Sequence, residues 1–141
     1  MISVPTATNL ASAQSATLFA VLNGGNECNG ASPPVCGQGD PNGLGSATVM
    51  LLGPTSLCAT IIVNGIGNPT AAHIHPGPAG VNGAPVLTLA TPASGNPGTS
   101  KFCTNAAPAG LTANIRNAPQ KFYINVHDNA FPLGAVRGQL F

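Results

Sequence analysis

Residues 70–77 read TAAHIHPG and residues 121–129 read KFYINVHDN, and these two stretches hold every histidine of the chain: His73, His75 and His127. In an extended strand, side chains two residues apart share a face. His73 and His75 therefore project together, while Ala72 and Ile74 project the other way. In the second stretch Tyr123, Asn125 and His127 fall on one face, and Phe122, Ile124 and Val126 on the other. Each stretch reads as a strand with one apolar face and one histidine face. If the two strands are neighbours in one sheet, three imidazoles converge on a point, which is a donor set for zinc or copper.

The rest of the chain extends the same pattern. Short apolar and β-branched runs are separated by Asn-Gly pairs at 23–24, 29–30, 42–43, 64–65 and 82–83, a dipeptide that suits the positive φ angles of tight hairpin turns. Strands are predicted over 16–22, 46–52, 57–64, 70–75, 85–89, 111–115, 121–127 and 135–141. No window carries a convincing helical stripe, because Pro or Gly interrupts nearly all that are long enough. The expected fold is all-β: a disulfide-stapled Greek-key sandwich or barrel of about eight antiparallel strands. Residues 16–141 form one domain on this reading, and residues 1–15 a flexible N-terminal segment or an exchangeable edge strand. The segment PGPAGVNGA (76–84) and the stretch 90–99 are read as irregular loops, the first lying beside the histidine pair.

Composition narrows the function. Only 5% of residues are charged and the net charge is +1, against about a quarter charged in ordinary soluble domains. There is no basic cluster to meet a phosphate backbone, so nucleic acid is not an expected partner. A surface with so little self-repulsion permits self-association. The longest apolar run, near 47–52, is far too short to span a bilayer. Cys28, Cys36, Cys58 and Cys103 are even in number and lack CxxC spacing, which favours disulfides over thiolate metal sites. Of the three connectivities we favour Cys28–Cys36, closing a short loop, with Cys58–Cys103 tying a strand to a later segment. Disulfides place the protein in an oxidising compartment, secreted, periplasmic or extracellular. Residues 1–10 have no basic start or apolar core of a signal peptide, so a leader is expected to have been removed.

LNGxxE at 22–27, GxA at 45–47, AAHIHPGPAGVNG at 71–83, FYINVH at 122–127 and the terminal RGQLF at 137–141 together resemble the CHRD domain, the module also repeated in chordin. The resemblance spans about residues 16–141. It implies an extracellular β module and treats His73, His75 and His127 as a set. One departure is visible: where the family usually reads GEIRGQL, this chain reads GAVRGQL, with Ala135 in place of the glutamate. A looser likeness, limited to the HxH strand and general architecture, is to copper,zinc superoxide dismutase.

Neutral imidazoles suit Zn(II) and Cu(II), and a third histidine from a neighbouring strand leaves one position open for water or substrate. The expected ion is copper, or else zinc, since copper leads the affinity order at nitrogen sites. Its use would be metal storage or redox chemistry. Three histidines do not establish turnover, but an enzyme built on them would be a copper-dependent oxidoreductase. Tyr123, Asn125, Asp128 and Arg137 are the candidates to stand behind the ligands or touch a bound molecule. Arg137 is expected to meet an anion at the open position or to salt-bridge Asp128 and brace the terminal hairpin. Glu27 cannot be placed. The alternative reading is a structural or adhesive self-assembling module whose histidines only hold loop backbones. No GxSxG elbow, phosphate-binding glycine loop or juxtaposed carboxylate pair is present.

Overall fold

The computed structural model describes residues 15–141; the segment expected to be flexible or exchangeable lies, apart from Ser15, outside them. Eight strands form one antiparallel sheet: β1 (Ala16–Asn23), β2 (Leu44–Leu51), β3 (Leu57–Asn64), β4 (Pro69–Pro76), β5 (Leu87–Leu89), β6 (Gly98–Thr104), β7 (Phe122–Asp128) and β8 (Val136–Gln139). Their order across the sheet is β5-β4-β7-β8-β1-β2-β3-β6. Strands β1 to β3 form a meander, whereas β4 pairs with β7, about fifty residues later in sequence. The sheet curls into a nearly closed barrel. Alternation along the strands fills its interior: Ala20 and Leu22, Val49 and Leu51, Ile61 and Val63, Ala72 and Ile74, Ile124 and Val126 are all buried in one cluster.

The all-β architecture and the count of eight agree with the sequence reading, but two elements differ from it. Residues read as a strand over 111–115 form instead a short helix, α1 (Leu111–Asn117). Gly110, at φ 82°, turns the chain into it, and Leu111 and Ile115, one helical turn apart, both drop into the core. With only seven residues, two apolar positions fit alternation as readily as helical spacing. Conversely, β6 begins inside a stretch read as irregular. Its sequence GTSKFCT has a largely polar outer edge, and it is held by full register with β3, from Leu57 opposite Thr104 to Val63 opposite Gly98. Both expected disulfides are formed. Cys58 and Cys103 are directly paired residues of β3 and β6, and Cys28–Cys36 closes the lobe between β1 and β2.

Candidate functional site

The histidines converge because of the β4–β7 register. His73 lies opposite Asn125, His75 opposite Tyr123 and Ala71 opposite His127. On the next strand Arg137 lies opposite Asn125 and Gln139 opposite Tyr123. Since Ala72, Ile74, Ile124 and Val126 face the barrel interior, all these polar side chains stand on its outer wall. The wall is not open to solvent, however: Tyr123, Asn125 and Arg137 are each no more than 2% exposed. Loops cover it and make a second, polar core outside the sheet.

Within that layer the imidazole centroids lie 5.1 Å apart for His73 and His127, 5.4 Å for His73 and His75, and 6.4 Å for His75 and His127. One ligand atom from each falls within 4.8 Å of the others, close enough to share an ion. Backbone carbonyls, which can only accept, fix which nitrogens are available. His127 Nδ1 is 2.9 Å from Pro132 O and His75 Nδ1 is 2.8 Å from Gly83 O, so in each ring Nδ1 carries a hydrogen, and Nε2 is the nitrogen left to bind an ion through its lone pair in the neutral form. His127 Nε2 faces His73 Nδ1 at 3.2 Å. Burial lowers the pKa of His73 and of His75, reinforced in both rings by the neighbouring His127. A Cu(II) or Zn(II) ion requires lone pairs on the inward nitrogens: Nε2 of His75 and His127 offers them in the neutral ring, while His73, whose Nδ1–H donates to His127 Nε2 without an ion, offers one once its hydrogen moves to Nε2.

His75 also reaches Asn125 Oδ1 through Nε2, at 2.9 Å. A neutral His75 with its hydrogen on Nδ1 is satisfied when the Asn125 amide turns its NH2 group toward Nε2. The other end of that amide meets Glu27, a residue 3% exposed whose pKa burial pushes up to about 7, opposed by the charge of Arg137 and by the Asn125 hydrogen bond. One proton thus satisfies the chain Gly83–His75–Asn125–Glu27, held either by His75 opposite a Glu27 carboxylate or by Glu27 beside a neutral imidazole. Burial of both groups favours the second, uncharged arrangement.

Arg137 fastens the cover. Its guanidinium donates to Asn82 Oδ1 at 2.9 Å, to Pro78 O at 3.0 Å, to Val81 O at 2.9 Å and to Gln139 Oε1 at 3.1 Å. The Cζ atom lies 3.4 Å from the centroid of the Tyr123 ring, and His75 stacks on the same ring at 4.7 Å and 3°. Because β4 and β8 flank β7 on opposite sides, Tyr123 is sandwiched between imidazole and guanidinium. Asn82 carries the restraint onward by donating to Cys28 O at 2.8 Å. Gly83 packs so tightly that a Cβ there would run into the Pro76 carbonyl.

The expected Arg137–Asp128 ion pair is therefore not made. Asp128 points away from the histidines, where its carboxylate accepts from Gly67 N at 2.9 Å and Phe131 N at 2.8 Å and shapes the turn after β7. The residue that sequence reading could not place, Glu27, is part of the site. It arrives because the 3-10 turn Gly24–Asn26 and the Cys28–Cys36 bridge fold the β1–β2 connection over the wall. A Cβ at Gly134, which has φ 137°, would run into the Glu27 carboxylate, so the glycine makes room for it. The position of Glu27 within LNGxxE was the available signal.

The CHRD domain family model matches residues 18–140. No curated protein and no solved structure matches the chain.

Proposed function

The chain belongs to the CHRD family, and on that premise we propose that it is an extracellular β domain holding one transition-metal ion through His73, His75 and His127. The observation that carries this reading is the convergence of all three histidines within 4.8 Å, with two Nδ1–H groups committed to backbone carbonyls. The ligand atoms would be His73 Nδ1, His75 Nε2 and His127 Nε2, with Asn125 displaced from the last bond it makes to His75. Copper is preferred to zinc because it leads the affinity order at imidazole sites and an oxidising compartment exposes the protein to it. The ion would supply either a stored metal or a redox centre. Tyr123, Asn125 and Arg137 hold the ligands and their covering loop in place. The two disulfides favour an oxidising, extracellular setting. Metal content measured by plasma mass spectrometry after copper loading tests the reading. One equivalent in the wild type and none in His73→Ala/His75→Ala/His127→Ala is expected; no bound metal in the wild type contradicts it.

A separate observation favours self-association as a second property. Phe19 and Val21 of β1, Leu44 and Met50 of β2 and Ile62 of β3 are exposed on the outer face of the meander, with Val21, Ser46 and Ile62 in register across it. Few charges oppose contact between copies. Sedimentation velocity on the wild type and on Val21→Lys/Ile62→Lys tests this: loss of oligomers in the variant is expected, and a wild type that stays monomeric at high concentration contradicts it.

A further inference from the structure

Strand β6 ends the sheet, and its outer side is open. It pairs with β3 over its whole length, Gly98–Thr104, and none of its backbone groups bonds to another described strand. Alternate residues of such an edge turn their N–H and C=O groups outward, where a further strand can meet them. The inward side is incomplete as well. Leu57, Ala59 and Ile61 of β3 are buried, whereas Thr104, Phe102 and Ser100, which stand beside them in register, are only half-buried. One more strand beside β6, with apolar or β-branched residues on its inner face, would cover them.

The chain carries a segment of that description. Residues 1–14 lie outside the described residues and contain no charged side chain, and Ile2, Val4, Thr6, Thr8 and Leu10 recur at every second position. That is the period of a strand with one apolar, β-branched face, and Pro5 is admissible in a strand that is itself an edge. Within its own copy the segment is badly placed. Ala16 pairs with Leu51, where β2 ends, and β2 and β8 already flank β1. Ala16 and Thr104 lie at the same end of the sheet. To reach the outer side of β6 the segment must therefore cross four strand spacings, about 19 Å, which takes about six residues, and then run parallel to β6. A two-fold pairing of β6 with a second β6 fares no better: centred on the seven residues, it sets Lys101 opposite itself.

A copy docked on the exposed face of β1 to β3 meets neither obstacle. Packed sheets lie about 10 Å apart, and the outer side of β6 is about 10 Å beyond β3, so from a β1 lying over β3 the step is about 14 Å. Residues 11–15 span about 16 Å when extended, which leaves residues 2–10 free to pair. We propose that the N-terminal segment of one copy, residues 2–10, adds as a strand to β6 of a second copy, with the face formed by Ile2, Val4, Thr6 and Thr8 turned toward Phe102. This rests on the self-association through the meander face proposed above and names what that contact delivers.

Hydrogen exchange of residues 98–104, read by mass spectrometry with sedimentation velocity on the same samples, tests it. In the full chain at associating concentration these amides are expected to exchange at least tenfold more slowly than in a variant lacking residues 2–14. Val21→Lys/Ile62→Lys is expected to exchange as the deletion does. Val4→Asp/Thr6→Asp is expected to lose the protection, and Ser3→Asp/Ala7→Asp, on the opposite face, to keep it within threefold. Wild-type oligomers without protection of β6 would overturn the proposal and leave the meander contact standing; a monomeric wild type would overturn both. Protection persisting in Val21→Lys/Ile62→Lys would give the edge to the chain's own segment, and protection persisting in the deletion would give it to a second β6. Either result overturns the proposal.

Discussion

Arg137 is 1% exposed, and replacing it by Met keeps most of its length while removing all its donors. Three acceptors in the covering loop then lose their partner: Pro78 O, Val81 O and Asn82 Oδ1. An orphaned buried acceptor costs about 1–3 kcal/mol. Part of this is recovered because a loop of residues 77–86 can lift toward water, so Arg137→Met is expected to destabilise by about 3–5 kcal/mol, the lower part of the sum for three orphaned acceptors. The Tyr123 ring also loses the cation on its face. Urea denaturation followed by far-ultraviolet circular dichroism measures the total. Hydrogen exchange at the Val81 and Gly83 amides locates it, with faster exchange expected in the variant. Arg137→Lys keeps the charge but cannot span four acceptors, and is expected to fall between wild type and Met. A loss below about 1 kcal/mol for Arg137→Met, with unchanged exchange in the loop, would refute the view that Arg137 clamps the cover over the histidines.

Opening the Cys58–Cys103 bridge, which closes a separation of 45 residues, is expected to cost up to about 4 kcal/mol by chain entropy, against about 2.5 kcal/mol for Cys28–Cys36 with its separation of 8; denaturation of the two Cys→Ala pairs ranks them. Glu27 rises from an ordinary 4.5 to about 7 on folding, so the native state holds a proton that the unfolded chain has released, and stability falls as pH climbs between those values. The stability of Glu27→Gln relative to wild type is expected to grow by about 3 kcal/mol from pH 4.5 to pH 8, read from denaturation at each pH; a flat difference contradicts the placement of Glu27. Gly134→Ala puts a methyl group into the Glu27 carboxylate at a positive φ and is expected to lower the thermal midpoint, with Glu27→Ala partly restoring it. Because burial lowers the pKa of His73 and His75, bound copper is expected to survive to lower pH than at an exposed three-histidine site; release following an unperturbed histidine titration contradicts this.

The face assignments in 70–77 and 121–129 carried most of what could be read in advance. Period-two alternation determines which side of a strand a residue takes, and it placed His73, His75, Tyr123, Asn125 and His127 together once β4 and β7 proved to be neighbours. What alternation does not encode is the path of loops. Glu27 reaches the site through a turn and a disulfide lobe, and Arg137 finds its acceptors on loop carbonyls rather than on the nearest carboxylate in sequence. Asp128 is consumed by a local turn, a use set by the backbone amides of Gly67 and Phe131. The exchange of a strand for α1 and the unread β6 have a common cause. Both are short segments whose apolar residues are too few to establish a period, so tertiary pairing decides them.

The most direct measurement is an anomalous difference map at the copper edge from crystals of copper-loaded protein. One peak bonded to His73 Nδ1, His75 Nε2 and His127 Nε2 is the predicted result. A map without a peak at these nitrogens, or with copper bound elsewhere on the chain, would contradict the central claim.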